Sequence, residues 1–522
     1  MITPLRDSWV KKALTALFAA YFLAVLAMLF IGQKFWGFCY DHQAAMDNLN
    51  LLPFVLPLLA LLMLAALRGA ARERAAADPR RMTRGMLLAQ LGFLLFQFVW
   101  VYLTRFHAIT ESVDCYAGAY ALATGTPVPN QEFFRIYPHN APNSLLTSYI
   151  IRLALLVGAD PIALFPYIGA LLLNLTTLMT HSAVLRLTGR RHLFWISFFV
   201  GNLWIGLSQY MMIPYSDIYA VVFPALAVWL LTCRMNRFLK WLLFAFACFF
   251  GGAVRPTALI PLIAYALYQL VAQLQARLPL KEWLKRGAAA LLACLLACLP
   301  CRMWKDHSVE LLAGEKDPQQ ALTVTHYIML GMNYDTWGEF SNYDYDFSTG
   351  FDTVQERQTA NLARAWERFS SLTPKEFVKF FLIKLYKAHA EGNFFADCAY
   401  CQALPERNNP ITPVLLDFYL KTGPNRVYYL SLQQVIWLCL LTLCAAAACT
   451  AKRHAPLYHV LGIALLGVTA YSLLSENWPR YLFMFAPLFL IMSMQGLDGL
   501  CAAIRDRRAA RPKPLARKGE SL

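Results

Sequence analysis

About twelve stretches of this sequence are apolar for long enough to cross a hydrocarbon layer, and no other feature constrains the fold as strongly. A bilayer core about 30 Å thick needs about 20 apolar residues when the chain crosses it as a helix. The stretches lie at roughly 13–31, 51–67, 85–103, 160–185, 192–210, 217–233, 239–255, 256–274, 287–303, 428–449, 456–474 and 480–500. Hydrocarbon offers no partner to a backbone N–H or C=O, so each such segment must satisfy its own backbone as an α-helix. The expected fold class is an all-α polytopic membrane protein with about 12 transmembrane helices. Arg255-Pro256 interrupts the seventh and eighth stretches, which could also be one broken helix. The apolar segment 143–158 carries Arg152 and begins at Asn143, which suits a helix lying in the interface.

Composition supports this reading. Only 15% of the 522 residues are charged and 58% are hydrophobic, whereas soluble chains carry about 25% charged residues. A soluble enzyme, a disordered chain and a fibrous one are excluded. Lys and Arg total 47 against 31 Asp and Glu, a net charge of +16 that on a soluble protein would suggest nucleic acid. Its distribution says otherwise. With the N-terminus cytoplasmic and the spans alternating, 28 Lys/Arg but seven Asp/Glu fall on the cytoplasmic side, leaving 19 and 24 outside. Every short loop on that side is basic, as the positive-inside rule requires. The expected location is the cytoplasmic membrane with both termini cytoplasmic, the bilayer is a partner, and nucleic acid is not. The first span follows Arg6, Lys11 and Lys12 with no small-residue cleavage pattern, which reads as an uncleaved signal anchor.

The chain then divides into an N-terminal hairpin with a basic loop (1–84), a core of spans (85–303) containing a first external loop (104–159), an external domain (304–427), the last transmembrane helices (428–504) and a basic tail (505–522). The external domain reads as mostly helical. Thr373-Pro374-Lys375-Glu376 is a capping box with proline at the first helical position, followed by an amphipathic run to about His389, and 353–371 also reads as helix. Of the 13 cysteines, Cys248, Cys294, Cys298, Cys439 and Cys444 fall within spans and read as small apolar residues. Cys398-Ala399-Tyr400-Cys401 is external, as are Cys39 and Cys115. Lacking a second pair to complete a zinc site, Cys398-Ala399-Tyr400-Cys401 reads as a disulfide or paired thiols ahead of metal or redox work.

Ionisable residues at or just outside membrane depth are the functional candidates. The first external loop holds Glu111 and Asp114, which share one helix face at i, i+3, followed by Arg135-Ile136-Tyr137-Pro138-His139-Asn140. Two such carboxylates could supply a general base and a second acid, hold a divalent cation, or simply face water. Asp217 sits in Pro214-Tyr215-Ser216-Asp217, Arg255 in the break before Pro256, and Glu476, Arg480 and Tyr481 in the last outer turn. An arginine beside aromatics at the outer surface suits a phosphate, bound bidentately, or a snorkelling anchor to lipid headgroups. His326 opens the external domain, which is rich in aromatics and acids through Asp346. No P-loop, nucleophile elbow or H-E-x-x-H string is present in the sequence.

The order of these motifs resembles the GT-C membrane glycosyltransferases, especially bacterial members related to the protein O-mannosyltransferase and lipid A aminoarabinose transferase branch. The similar order runs from an acidic first external loop through Tyr137-Pro138-x-Asn140, Pro214-Tyr215-x-Asp217 and Arg255-Pro256-Thr257 to Glu476…Arg480-Tyr481, about residues 85 to 500. The resemblance implies a polyprenyl-phosphate-sugar donor and transfer to an acceptor outside the cytoplasmic membrane, on a glycan, lipid or protein. It implies that Asp114, or else Glu111, is the base, since the common Asp-Glu doublet of the mannosyltransferase branch is absent here. The W-W-D-Y-G string of oligosaccharyltransferases is also absent, which argues against a peptide asparagine acceptor. On this reading Arg255, Arg480 or Arg135 steadies the departing phosphate, and Tyr137, His139, Asn140, Asp217, His326, Glu476 and Tyr481 contribute to substrate binding. One-step attack would invert the anomeric centre. A metal is less necessary than for a nucleotide-sugar donor, because the leaving group has one phosphate, although Glu111, Asp114, Asp217 or His326 could hold a divalent cation. Two rival readings share the span count: a polymerase or ligase of lipid-linked glycans, which would lean on external Arg and His, and a polyprenyl-lipid flippase or transporter, against which stand the lack of an internal repeat and the heavy external domain.

Overall fold

The computed structural model describes residue 5 and residues 9–32, 47–73, 81–109, 112–314, 319–396, 400–403 and 410–510. Among these, ten helices are long and apolar enough to cross a membrane: Trp9–Gly32, Leu52–Arg72, Arg84–Thr104, Pro161–Thr188, Arg237–Val254, Pro256–Ala276, Leu280–Ala313, Arg426–Cys449, Leu457–Leu474 and Pro479–Ala509. Their ends follow local chemistry. Thr83 and Asp160 accept from backbone N–H groups of the helices they precede, and Gly189 stops Pro161–Thr188 in the left-handed region. Arg255 is extended, as the residue before a proline prefers, so Arg237–Val254 and Pro256–Ala276 are separate.

Two expected spans are not continuous helices. The stretch 192–210 is α-helical over Arg191–Gly201, widens into a π-turn at Asn202–Gly206 and ends in a 3-10 turn at Gln209–Met212. The stretch 217–233 splits at Val221 into Ser216–Ala220 and Val222–Thr232. Pro224 has no N–H to return to Ala220, which weakens the helix there. Conversely, Leu280–Ala313 has 34 residues and runs ten past its expected end at 303. At 1.5 Å per residue it is about 51 Å long, well beyond the hydrocarbon thickness.

The last spans form the centre. Trp437 and the run Leu488–Met492 are fully buried, and Gly496 lets Pro479–Ala509 cross Arg426–Cys449 so closely that a Cβ there would lie 2.0 Å from the Leu443 carbonyl. Peripheral helices instead expose apolar rows such as Leu87, Leu88, Leu91 and Leu95, or Leu291, Leu295 and Leu299. Such faces suit hydrocarbon and not water.

Unwound backbone between the helices is satisfied by side chains. Gln97 Nε2 donates to Gly206 O at 2.6 Å, Tyr419 OH to Leu207 O at 2.9 Å, and Gln433 Nε2 to Leu203 O at 3.3 Å. A second irregular stretch, 390–396, follows helix Pro374–His389 and is largely buried. Trp437 Nε1 donates to His389 O at 2.8 Å, Trp204 Nε1 to Gly392 O at 2.7 Å, and Tyr210 OH to Phe394 O at 2.8 Å. Phe394 and Phe395 take φ of 56° and 62°, and Gly392 has no room for a Cβ against Gln433 O. The two unwound stretches thus interlock through Trp204 and Tyr210.

The long segments lie at one end of the spans. Strand β1 (Phe106–Ile109) pairs antiparallel with β2 (Tyr400–Ala403), and Leu322 N donates to Ile136 O at 2.9 Å. At the other end Glu73 accepts from Arg191 N at 2.6 Å and meets His192 Nδ1 at 2.9 Å, while Arg453 pairs with Asp506 at 2.8 Å. This division of loops matches alternating crossings. Within 304–427, helices Val324–Gly331, Asn342–Thr349, Val354–Ser371 and Pro374–His389 pack around Met329, Met332, Ala365 and Phe380. The capping box at Thr373 is formed, with Thr373 N donating to Glu376 Oε2 at 2.9 Å. Arg368 grips fully buried Asp344 with both terminal nitrogens, at 2.6 and 3.1 Å.

Glycines at two positions separate packing from propensity. Gly496→Ala should destabilise the protein by about 1–3 kcal/mol, because the helix pair must part. Gly287→Ala, in an exposed helix interior with nothing near its Cβ, should stabilise by about 0.5–1 kcal/mol. Thermal unfolding of the detergent-solubilised variants measures both, and the two shifts should have opposite signs.

Candidate functional site

The short helix Ser216–Ala220, the break after Val254 and the turn following Leu474 bring five of the predicted residues together. Asp217 is 2% exposed and Arg255 9% exposed, so neither charge is adequately hydrated. They form an ion pair through Arg255 Nη1 and Asp217 Oδ1, with Ser216 Oγ 3.4 Å from the same nitrogen. Removing either partner would strand a buried charge. The guanidinium of Arg255 also stands 4.9 Å from the centre of the Tyr481 ring, and that of Arg480 stands 5.8 Å from it. Arg480 lies 5.7 Å from the Tyr215 ring as well. Two guanidinium groups therefore share one aromatic ring, whose face offers them favourable electrostatics.

Glu476 anchors the turn that carries Arg480. Tyr481 OH donates to Glu476 Oε2, and Trp478 Nε1 donates to Glu476 Oε1 at 3.0 Å. The Trp478 indole is stacked on Phe395 with centroids 5.2 Å apart, so the second unwound stretch touches the site. From the other side comes helix Pro374–His389. Lys384 is fully buried and donates to Gly331 O at 2.6 Å and Ser475 O at 2.9 Å. Burial pulls its ammonium down to about 7, against the opposing pull of the Glu476 carboxylate. Lys387 pairs with Glu339, and burial lowers its ammonium too.

The remaining predicted residues lie elsewhere at the same end. Arg135 donates through Nε to Ala313 O at 3.0 Å and through Nη2 to Gln131. Tyr137 is stacked on Tyr345 with centroids 6.3 Å apart, and His139 meets both Tyr137 and Tyr327 edge-on. These rings are half-buried. Burial first, then the Glu132 and Asp346 carboxylates, raises the Tyr345 phenol. Buried Asn140 precedes helix Ala141–Leu156, and its carbonyl accepts from Ser144 Oγ at 3.2 Å. His326 belongs to the interior of the 304–427 segment. Its Nδ1 lies 2.7 Å from Ser348 Oγ, and burial lowers it to about 4, leaving it neutral near pH 7.

Asp114 occupies the first turn of helix Ser112–Thr124 and accepts from Asn130 Nδ2 at 2.9 Å. It is not part of the arginine cluster, but a short route leads there. Its neighbour Cys115 meets Asn143 Nδ2 at 3.8 Å, and one helical turn on, Thr147 Oγ1 is 2.7 Å from Tyr219 OH, two residues from Asp217. Glu111, Cys39, Cys398 and the side chain of Cys401 fall outside the described residues. Among the described residues no group of three or more His, Cys, Asp or Glu is placed to hold a metal ion. Asp114, Asp217 and His326 stand on three separate elements.

Sequence reasoning missed Lys384, Lys387 and Glu339 as members of the site, and took Tyr215 and Trp478 only as motif letters. A signal for Lys384 was available. It follows Phe377 and Phe380 at i+7 and i+4 on the apolar stripe of an amphipathic helix, where a charge needs a reason.

The arrangement gathers four cations, Arg255, Arg480, Lys384 and Lys387, against three carboxylates, Asp217, Glu476 and Glu339, at the end of the spans. With one positive charge in excess, it is suited to an anionic group. Neither a curated protein nor a solved structure matches the chain. Residues 8–498 match a family model over nearly the whole length, and the chain belongs to that family, described as conserved hypothetical integral membrane protein.

Proposed function

We propose that this integral membrane protein is a glycosyltransferase of the GT-C type, moving a sugar from a polyprenyl-phosphate donor to an acceptor hydroxyl at the extracytoplasmic face. The observation that carries the reading is the pair of guanidinium groups over Tyr481, braced by Asp217 and Glu476. In this reading the broken stretches 191–212 and 216–232 count as crossings, giving twelve, and the loop-rich end faces away from the cytoplasm because the other end carries the basic excess.

The chemistry follows from the residue types. Leaving-group departure places charge on a lipid phosphate, and fixed guanidinium donors stabilise that charge without reorganising. Asp217 holds Arg255 and Glu476 holds the turn bearing Arg480, so both cations are pre-positioned. Asp114 takes the proton of the attacking hydroxyl as the bond to the anomeric carbon forms. Inversion follows from single displacement. The half-buried rings of Tyr137, Tyr327 and Tyr345, with Glu132 and Asp346 beside them, are suited to stacking and hydrogen bonding an acceptor saccharide. A lipid-pyrophosphate glycan polymerase would draw on the same arginines, and the donor discriminates between the two.

Purified protein in nanodiscs, given synthetic polyprenyl-monophosphate sugars, should release polyprenyl phosphate and glycosylate an added saccharide acceptor. Release from a diphosphate-linked donor alone would favour the polymerase, and lipid movement without transfer would favour a flippase. Arg480→Gln should lower kcat/KM by about 10²-fold, the loss expected when one fixed charge stabiliser is removed. Asp114→Asn should cost about 10²–10⁴-fold in kcat with little change in donor KM, as for a general base. Wild-type kinetics for Asp114→Asn would remove it from the mechanism.

A further inference from the structure

We infer that Lys384 is the positioning residue of this site, tying the turn that carries Glu476 and Arg480 to the 331–338 segment. Its three ammonium protons are partly committed: one goes to Gly331 O at 2.6 Å and another to Ser475 O at 2.9 Å. Those carbonyls belong to different elements, so one side chain joins the end of helix Val324–Gly331 to the residue before Glu476. The junction is reciprocal. Asn477 N donates to Gly338 O at 2.8 Å, and Asn477 Nδ2 donates to the Lys384 carbonyl at 2.9 Å. The surfaces are in such close contact that a Cβ on Gly331 would lie 2.4 Å from the Ser475 carbonyl carbon, and one on Gly338 would lie 2.8 Å from Lys384 Nζ. The Lys384 ammonium also stands 5.4 Å from the centre of the Phe380 ring.

This is a costly way to hold a turn. An ammonium at 0% exposure forfeits its hydration, and a methionine of similar length would fill the space without that penalty. What methionine cannot do is bond two carbonyls at once. Glu476 on the turn and Lys387 on its own helix are the charged groups that act on it, and Lys387 is itself paired with Glu339. Glu476 therefore acts twice. It orients Tyr481 and Trp478, and it favours the charged form of the lysine that fixes its own backbone. Because that ammonium is lowered to about 7, deprotonation as pH rises through about 7 leaves two N–H groups for the two carbonyls but removes the charge, so both bonds persist in a weaker, uncharged form.

The catalytic part of the test rests on the proposed transfer from a polyprenyl-phosphate donor; the structural part does not. In the full-length protein in nanodiscs, hydrogen–deuterium exchange over the peptide containing 475–481 should speed up at least tenfold in Lys384→Met. Lys384→Arg should stay within about threefold of wild type. With the donor, Lys384→Met should raise KM more than tenfold while kcat falls less. Wild-type activity should decline as pH rises through about 7, and Lys384→Arg should keep its activity to higher pH. Asn477→Ala breaks the same junction from the opposite side and should reproduce the exchange phenotype, which covers the case in which Lys384→Met does not fold. Unchanged exchange in Lys384→Met, or in Asn477→Ala if the former does not fold, overturns the positioning role. Faster exchange with no transfer by wild type from any donor overturns the proposed function and leaves the junction intact.

Discussion

The structure depends on a single constraint: backbone polar groups surrounded by apolar side chains must find partners. Straight helices meet it internally. Where this chain departs from straight helices at Asn202–Gly206 with the turn after it, and at 390–396, side chains substitute for the missing ladder. The substitutes come from five different elements, including Gln97, Trp204, Tyr210, Tyr419 and Trp437. Each unwound stretch is therefore a node to which distant parts of the sequence are attached. The helices packed around these nodes have little freedom to slide, because sliding would orphan carbonyls at about 1–3 kcal/mol each.

The charged cluster inherits that rigidity. Its parts are helix ends and turns: a break forced by Pro256, a short helix after Pro214, a tight turn before Pro479 and the buried face of an amphipathic helix. None could hold a charge in place alone. Phe395, in the second unwound stretch, stacks on Trp478, whose indole is bonded to Glu476. A continuous set of contacts thus runs from the interior of the bundle to the arginine pair.

How much of this could be read from the sequence varies with the physics behind each feature. Ten of the spans follow from apolar length, which is local and needs no partner. The Thr373 cap and the Arg255-Pro256 break are also local, and both occur as the sequence suggests. The irregular 192–210 stretch was not legible, because apolar length hides a π-turn whose stability comes from Gln97 and Gln433, about a hundred and two hundred residues away. For the site, Asp217, Arg255, Glu476, Arg480 and Tyr481, named from their order along the chain, lie together in the fold. Order along the chain does not separate them from His326, whose imidazole is buried against Ser348, and although the apolar stripe marks Lys384 as unusual, its carbonyl partners carry no sequence signature.

The interlocked stretch 390–396 also has a consequence for biogenesis. Its backbone is bonded by Trp204 and Tyr210, which are synthesised earlier, and by Gln434, which emerges some forty residues later, while Trp437 secures the His389 carbonyl before it. Until Arg426–Cys449 has been made and inserted, Ala390 O and Gly392 N have no partner from that helix. The segment cannot complete its seat during its own translation. Final docking of the whole 304–427 region must be post-insertional, so a nascent chain stalled before residue 428 would hold the charged site half-built and exposed to quality control.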